Sequence, residues 1–165
     1  DILFNIEFCM DIESMNLLNI APYHYAKRAN ESLTNEFVPE YYRLHRRRIE
    51  TLWKQQKYWK IDMQRSRKIL GGLYCRYILS ALERNYDKRA QISFRERRRF
   101  CRQIFADSLF LELVPYGKAE DSFMLKIALK LMKTKNVTLN LLLAYFIHLV
   151  RSRLPIFYSK IKSER

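Results

Sequence analysis

Along most of this chain the apolar residues recur three and four positions apart, the spacing that lines one face of an α-helix. At the start, Leu3, Phe4, Ile6, Phe8, Met10 and Ile12 predict a helix from Asp1 to about Met15, with Asp1 at the N-terminus, where exposed backbone N–H groups favour a carboxylate. Asn16 to Ile20 then reads as a short strand, and Tyr23 to Lys27, alternating at Tyr23 and Tyr25, as a second. From Pro39, suited to a first helical turn, a helix runs to Trp59 with Tyr42, Leu44, Ile49, Leu52 and Trp53 apolar. The next covers roughly Ile61 to Tyr86, with Ile69, Leu73, Tyr77, Ile78 and Leu82 at helical spacing. Gly71 and Gly72 fall inside it and predict a kink or a close helix crossing. Ser93 with Glu96 three residues on is a capping box, opening a helix that carries Phe94, Phe100, Ile104 and Phe105. Pro115-Tyr116-Gly117 marks a break, after which helices are expected from about Ala119 to Lys133 and from Val137 to Arg151.

The fold class that follows is mainly α: a bundle of about five to six helices behind a short N-terminal β element. Only 3 Gly and 4 Pro in 165 residues, with 48% apolar content, argue against disorder and against a turn-rich all-β design. The run Val137 to Val150 is the most apolar, yet falls short of the roughly 20 residues that span a bilayer. It reads as a buried bundle helix, or as one lying in a membrane interface between Lys133 and Lys135 on one side and Arg151 and Arg153 on the other. The aromatic-basic tail from Ile156 to Lys162 extends that second reading.

Charge divides the chain. Up to Tyr42 there are seven acids and two bases; from Arg43 onward there are 29 bases and 10 acids, within a total of +14. Such a change of sign predicts two functional segments, the second facing an anionic partner. The three cysteines, at 9, 75 and 101, form no close pair and no metal-ligand spacing, and are expected to be buried, reduced thiols. The histidines at 24, 45 and 148 are equally scattered, and no zinc signature, phosphate-binding loop, dinucleotide fingerprint or nucleophile elbow is present.

Two stretches carry more specific chemistry. A helix beginning "DILFNIEF" is followed by "APYHYAKRANESLTN", a Tyr-x-Tyr segment that turns basic and ends in hydroxyls. The pair resembles the end of the catalytic domain of family-2 glycosyltransferases. Bacterial members that build surface polysaccharides carry Glu-Asp-x-x-Phe-Asn at a helix start and, after one helix and a short strand, Pro-x-Tyr-x-Tyr with a basic residue, ending in Ser-(Leu/Ile/Val)-Thr. Asp1, Phe4 and Asn5 fit the first pattern, whose leading Glu would precede the first residue here. Pro22, Tyr23, Tyr25, Arg28, Ser32, Leu33 and Thr34 fit the second.

The resemblance covers residues 1–36 and implies a parent enzyme performing an inverting, metal-dependent sugar transfer. Asp1 would be the general base, taking the proton from the acceptor hydroxyl, a role suited to a carboxylate kept ionised at a helix N-terminus. Arg28 would contact the donor diphosphate, with Tyr25, Ser32 and Thr34 lining the acceptor or lid side or serving structure alone. No metal ligand is assigned in this chain. The family's nucleotide and divalent metal (Mg or Mn) bind to an N-terminal half with an Asp-x-Asp motif, which this stretch lacks. The chain is therefore expected to be a C-terminal fragment, inactive by itself, with residues 1–36 the remnant of a truncated α/β catalytic domain and 37–165 a basic helical domain. Nucleotide-sugar and glycan or lipid-linked acceptor would be the parent's partners, and the inner face of the cell membrane, from the cytoplasmic side, its location. An orphaned Tyr23 to Lys27 strand would then pair with Asn16 to Ile20 or with another copy of the chain.

A nucleic-acid-binding module is the alternative, since "RLHRRR" (43–48) and "RERRRFCR" (95–102) supply suitable charge. Against it, the arginines at 95, 97, 98, 99 and 102 spread around their helix instead of forming one groove-facing stripe. A third possibility is a helical scaffold whose basic surface confers only solubility.

Overall fold

The computed structural model describes residues 2–16, 18–20, 37–119 and 122–153, and the regular structure among them is entirely helical. In chain order the helices are α1 (Ile2–Phe8), α2 (Tyr41–Tyr58), α3 (Met63–Arg84), α4 (Phe94–Ala106), α5 (Ser108–Leu113), α6 (Phe123–Lys133) and α7 (Val137–Arg153), with 3₁₀ turns at Lys88–Ala90 and Val114–Tyr116. The bundle is built round α3, which packs against α2, α4, α5, α6 and α7. Its side chains Leu70, Tyr74, Cys75, Ile78 and Leu82 meet Ile49 and Trp53 of α2, Cys101 and Ile104 of α4, Phe110 and Leu113 of α5, Leu129 and Met132 of α6, and Leu141 and Ala144 of α7.

Local chemistry sets the helix boundaries. Asp62 accepts from the backbone N–H groups of Gln64 and Arg65 at 2.7 and 3.1 Å, satisfying donors that the first turn of α3 leaves open. The expected capping box is formed: Glu96 N–H donates to Ser93 Oγ at 3.3 Å, and Ser93 N–H to Glu96 Oε2 at 2.7 Å. Asp107 ends α4 and caps α5, accepting from Leu109 N–H at 2.8 Å. No glycine or proline marks this second break, so the hydrophobic pattern alone reads straight through it.

Two expectations at the N-terminus are corrected. The first helix stops at Phe8, with turns to Asp11, well short of Met15. Its apolar residues lie all round the helix instead of along one face: Ile6 is buried, whereas Phe4 and Phe8 stack on each other in solvent. What holds α1 is α2, through Gln55 Nε2 donating to Ile6 O at 2.8 Å and Trp59 Nε1 donating to Met10 O at 2.7 Å. Asn16 and residues 18–20 are not in a strand, and Leu18 and Ile20 are exposed. Extended backbone becomes a strand only against a hydrogen-bonding partner, and none is present among the described residues. The other half of the expected β element, Tyr23 to Lys27, lies outside them.

Burial pushes the Cys75 and Cys101 thiols up to about 12, so both stay protonated and unreactive near neutrality. Among the described residues no helix is long and apolar enough to cross a membrane.

The seam between α2 and α3 contains a titratable stack. His45 lies 4.2 Å from the Tyr41 ring and 4.0 Å from Tyr77, with Arg84 over Tyr41 and Arg48 over Tyr77. Its Nδ1 is buried without a hydrogen-bond partner. Burial first, then the Arg48 and Arg84 charges, lower its pKa from the ordinary 6.5. Below that value the unfolded chain takes up a proton that the folded one resists, so this group's contribution to stability falls as pH drops beneath 6.5, down to the lowered folded value. Replacing His45 with Phe keeps the stack and removes the proton. Thermal melts between about pH 7 and pH 5 should show a smaller loss of stability for the variant than for the wild type.

Candidate functional site

The site residues that sequence resemblance picks out, Asp1, Tyr25, Arg28, Ser32 and Thr34, all lie outside the described residues. Of the first motif, Phe4 is exposed on α1. The structure instead draws attention to the middle of α3, where the chain's three glycines meet.

Gly71 and Gly72 do not break α3, which runs unbroken from Met63 to Arg84. They let another stretch of backbone cross it. A Cβ on Gly71 would stand 2.3 Å from the Leu113 carbonyl oxygen and 2.7 Å from Gly117 Cα; one on Gly72 would stand 2.1 Å from the Lys118 oxygen. A Cβ on Gly117 would likewise meet the backbone of Gly71 at 2.7 Å. None of the three has positive φ, so what glycine supplies is space and not conformational freedom. Lys118 N–H donates to Lys68 O at 3.1 Å and Lys133 Nζ to Gly117 O at 3.2 Å, pinning the crossing segment between α3 and α6.

On each side of this segment is a hollow. One, of about 490 Å³, is lined by Arg65, Lys68, Ile69, Gly72, Leu73 and Arg76 from one face of α3, together with Lys118 and Leu125. The other, of about 450 Å³, is lined by Gly117, Lys118 and Ala119 and by Lys126, Leu129, Lys130 and Lys133 from α6. They share Lys118, so together they make a groove with seven lysine and arginine side chains and a partly apolar floor. Among the described residues no acid lines it; Glu120 and Asp121, next along the chain, lie outside them.

Among the described residues these cations form no ion pair, although Lys68 and Arg65 act electrostatically on the Asp62 carboxylate. Beyond Arg43 the described acids are Glu50, Asp62, Glu83, Asp87, Glu96, Asp107 and Glu112. Asp62, Asp87, Glu96 and Asp107 serve caps. Glu50 takes Arg46 and Lys54; Glu112 takes Lys57 and Arg67. Glu83, buried on α3, takes His148 Nδ1 at 3.1 Å and Arg151 at 3.0 Å from α7, beside a small hollow of about 210 Å³. None of the seven groove cations forms an ion pair among the described residues.

The arginine runs that dominate the sequence are used differently. Arg46 binds Asp107 and Glu50, Arg43 pairs with Glu40, and Arg48 stacks on Tyr77. In α4, Arg97 donates to Asn85 O at 2.8 Å and stacks on Tyr86, while Arg98 reaches Thr138. Several of the clustered arginines thus act as packing and tethering groups. Apart from Arg65 and Lys68, which belong to the short run Arg65-Ser66-Arg67-Lys68, the groove cations sit in no basic run; the available signal is the spacing at 65, 68 and 76 and at 126, 130 and 133, which puts each set on one helix face.

The groove's ionisable groups are cations, and a concave site lined by one sign of charge attracts anions. Among the described residues no group of three or more His, Cys, Asp or Glu is placed to hold a metal ion. Compared with known proteins, the chain matches no family model, no curated protein and no solved structure.

Proposed function

We propose that the helical body docks against an anionic membrane surface, as the membrane-facing C-terminal part of a family-2 glycosyltransferase acting on a nucleotide-sugar donor. The glycosyltransferase part of this reading rests on the motif residues in 1–36; the docking part rests on the groove. The single observation that carries the docking is the convergence on the Gly117–Lys118 crossing of seven lysines and arginines that form no ion pair among the described residues, with no described acid among them. Phospholipid headgroups supply the complementary charge, and each Lys or Arg near an anionic leaflet contributes about 1 kcal/mol. Nucleic acid fits less well, because Arg46, Arg48, Arg97 and Arg98 of the arginine clusters are engaged within the protein and the groove cations flank apolar side chains such as Ile69 and Leu73.

Sedimentation with vesicles tests this directly. The protein should bind vesicles containing phosphatidylserine, should release as salt rises, and should ignore purely zwitterionic vesicles. Lys126→Ala with Lys130→Ala should weaken binding about thirtyfold, from the roughly 2 kcal/mol that two such cations supply. Tighter binding to duplex or single-stranded oligonucleotides than to vesicles at the same salt would replace the membrane reading with the nucleic-acid one.

A further inference from the structure

Helix α7 has two apolar faces, and among the described residues only one of them is covered. Leu141, Ala144 and Ile147 are buried in the bundle together with Asn140, whose amide donates to Leu131 O and Asn136 O. Leu139, Leu142 and Phe146, spaced three and four apart, form a second stripe facing out, with Tyr145 at its edge; Leu142 and Phe146 are 58% and 57% exposed. No charged residue interrupts the helix between Val137 and Val150. Exposed cations follow at both ends: Lys135 precedes the helix, and Arg153, seven residues beyond Phe146, falls on the same face.

The same pairing occurs on α6. Phe123, 79% exposed, and Ile127 occupy its outer face beside Lys126 and Lys130 of the groove. Two occupants could cover the α7 stripe, and charge chooses between them. A second copy would bring two chains of +14 together across a modest apolar contact. An anionic bilayer supplies acyl chains for the stripe and negative headgroups for the flanking lysine and arginine.

We infer that α7 lies in the membrane interface, with Leu139, Leu142 and Phe146 pushed beneath the headgroups while Lys135 and Arg153 stay at headgroup level. This rests on the docking reading and adds to it a contact that salt does not dissolve. The bundle presents one side of α7 to its own core and the other to lipid, so the interfacial helix is part of the fold before it meets the membrane.

The experiment compares the wild type with Leu142→Ser/Phe146→Ser on phosphatidylserine-containing vesicles. Both side chains are exposed, so thermal melts should coincide. The wild type should keep a bound fraction at about 0.5 M salt, where surface charge is screened within a few ångströms. The double variant should lose that fraction and bind roughly tenfold more weakly at ordinary salt. In parallel, Phe146→Trp should show indole fluorescence quenched by lipids brominated near the headgroup end of their acyl chains. If the double variant binds as the wild type does and the indole is not quenched, α7 stays outside the bilayer and this inference falls, while docking through the groove stands. If the wild type fails to bind anionic vesicles at low salt, both fall. If sedimentation shows a wild-type dimer that the double variant abolishes, a second copy covers the stripe and the inference is overturned.

Discussion

Gly71→Ala lowers the stability of the fold by about 3 kcal/mol, although alanine is the better helix former by up to about 1 kcal/mol. The sign is what makes the experiment informative. Gly71 sits in the middle of α3, and in an exposed helix the substitution would stabilise. Here the added carbon meets the Leu113 carbonyl oxygen at 2.3 Å and Gly117 Cα at 2.7 Å, far inside van der Waals contact. Neither neighbour is a side chain that can swing away. Leu113 is fully buried in the core, and the segment through Gly117 is held by Lys118 N–H on Lys68 O. The backbone must separate, opening a void among Leu70, Leu113 and Val114. For a body of this size the melting temperature should fall by roughly 10 °C. A variant that melts with the wild type would show that the crossing is looser than described.

Asp107→Ala is expected to cost about 2–3 kcal/mol, from two sources that a second variant separates. The carboxylate caps α5 through Leu109 N–H at 2.8 Å and takes the Arg46 guanidinium in a forked pair, Nε to Oδ2 at 2.5 Å and Nη2 to Oδ1 at 3.2 Å. That pairing holds the guanidinium well above its usual pKa, the Asp107 hydrogen bond being the main cause. The pair joins α2 to the junction of α4 and α5. Asparagine caps a helix nearly as well as aspartate but cannot form the ion pair. Asp107→Asn should therefore retain about 1 kcal/mol of what alanine loses. Urea denaturation of the three proteins measures both differences. Equal losses for alanine and asparagine would assign the whole effect to the ion pair.

The helices of the body were legible because their faces are regular and their ends carry local signals. Ser93 with Glu96 marks a start that needs no tertiary knowledge. On α3 the expected apolar set catches only part of the buried face: Ile78 and Leu82 are buried, whereas Ile69 is exposed and Leu70, Tyr74 and Cys75 take the core instead. The N-terminal segment was misread because Phe4, Ile6, Phe8 and Met10 suit a helix, a strand or neither until something covers them. Only Ile6 finds cover. Asn16 to Ile20 needed a ladder partner, which local sequence cannot supply. The run Val137 to Val150 has one face in the core, as a bundle helix should, and the other exposed. Conspicuous arginine runs drew attention away from the groove, whose cations are brought together from α3, α6 and the crossing between them. That convergence is a property of the fold, and only the one-face spacing on each helix hints at it.

The glycine crossing also bears on how distant kin of this chain could be recognised. Cations around a groove can be exchanged, shifted by a turn or swapped between lysine and arginine while the surface stays positive. Backbone lying directly on backbone permits no such drift. All three glycines of the chain stand at that one contact. A glycine pair midway along one helix, with a third just after a proline-bearing turn, should therefore outlast the basic residues as the lineage diverges, and is the better signature to search for.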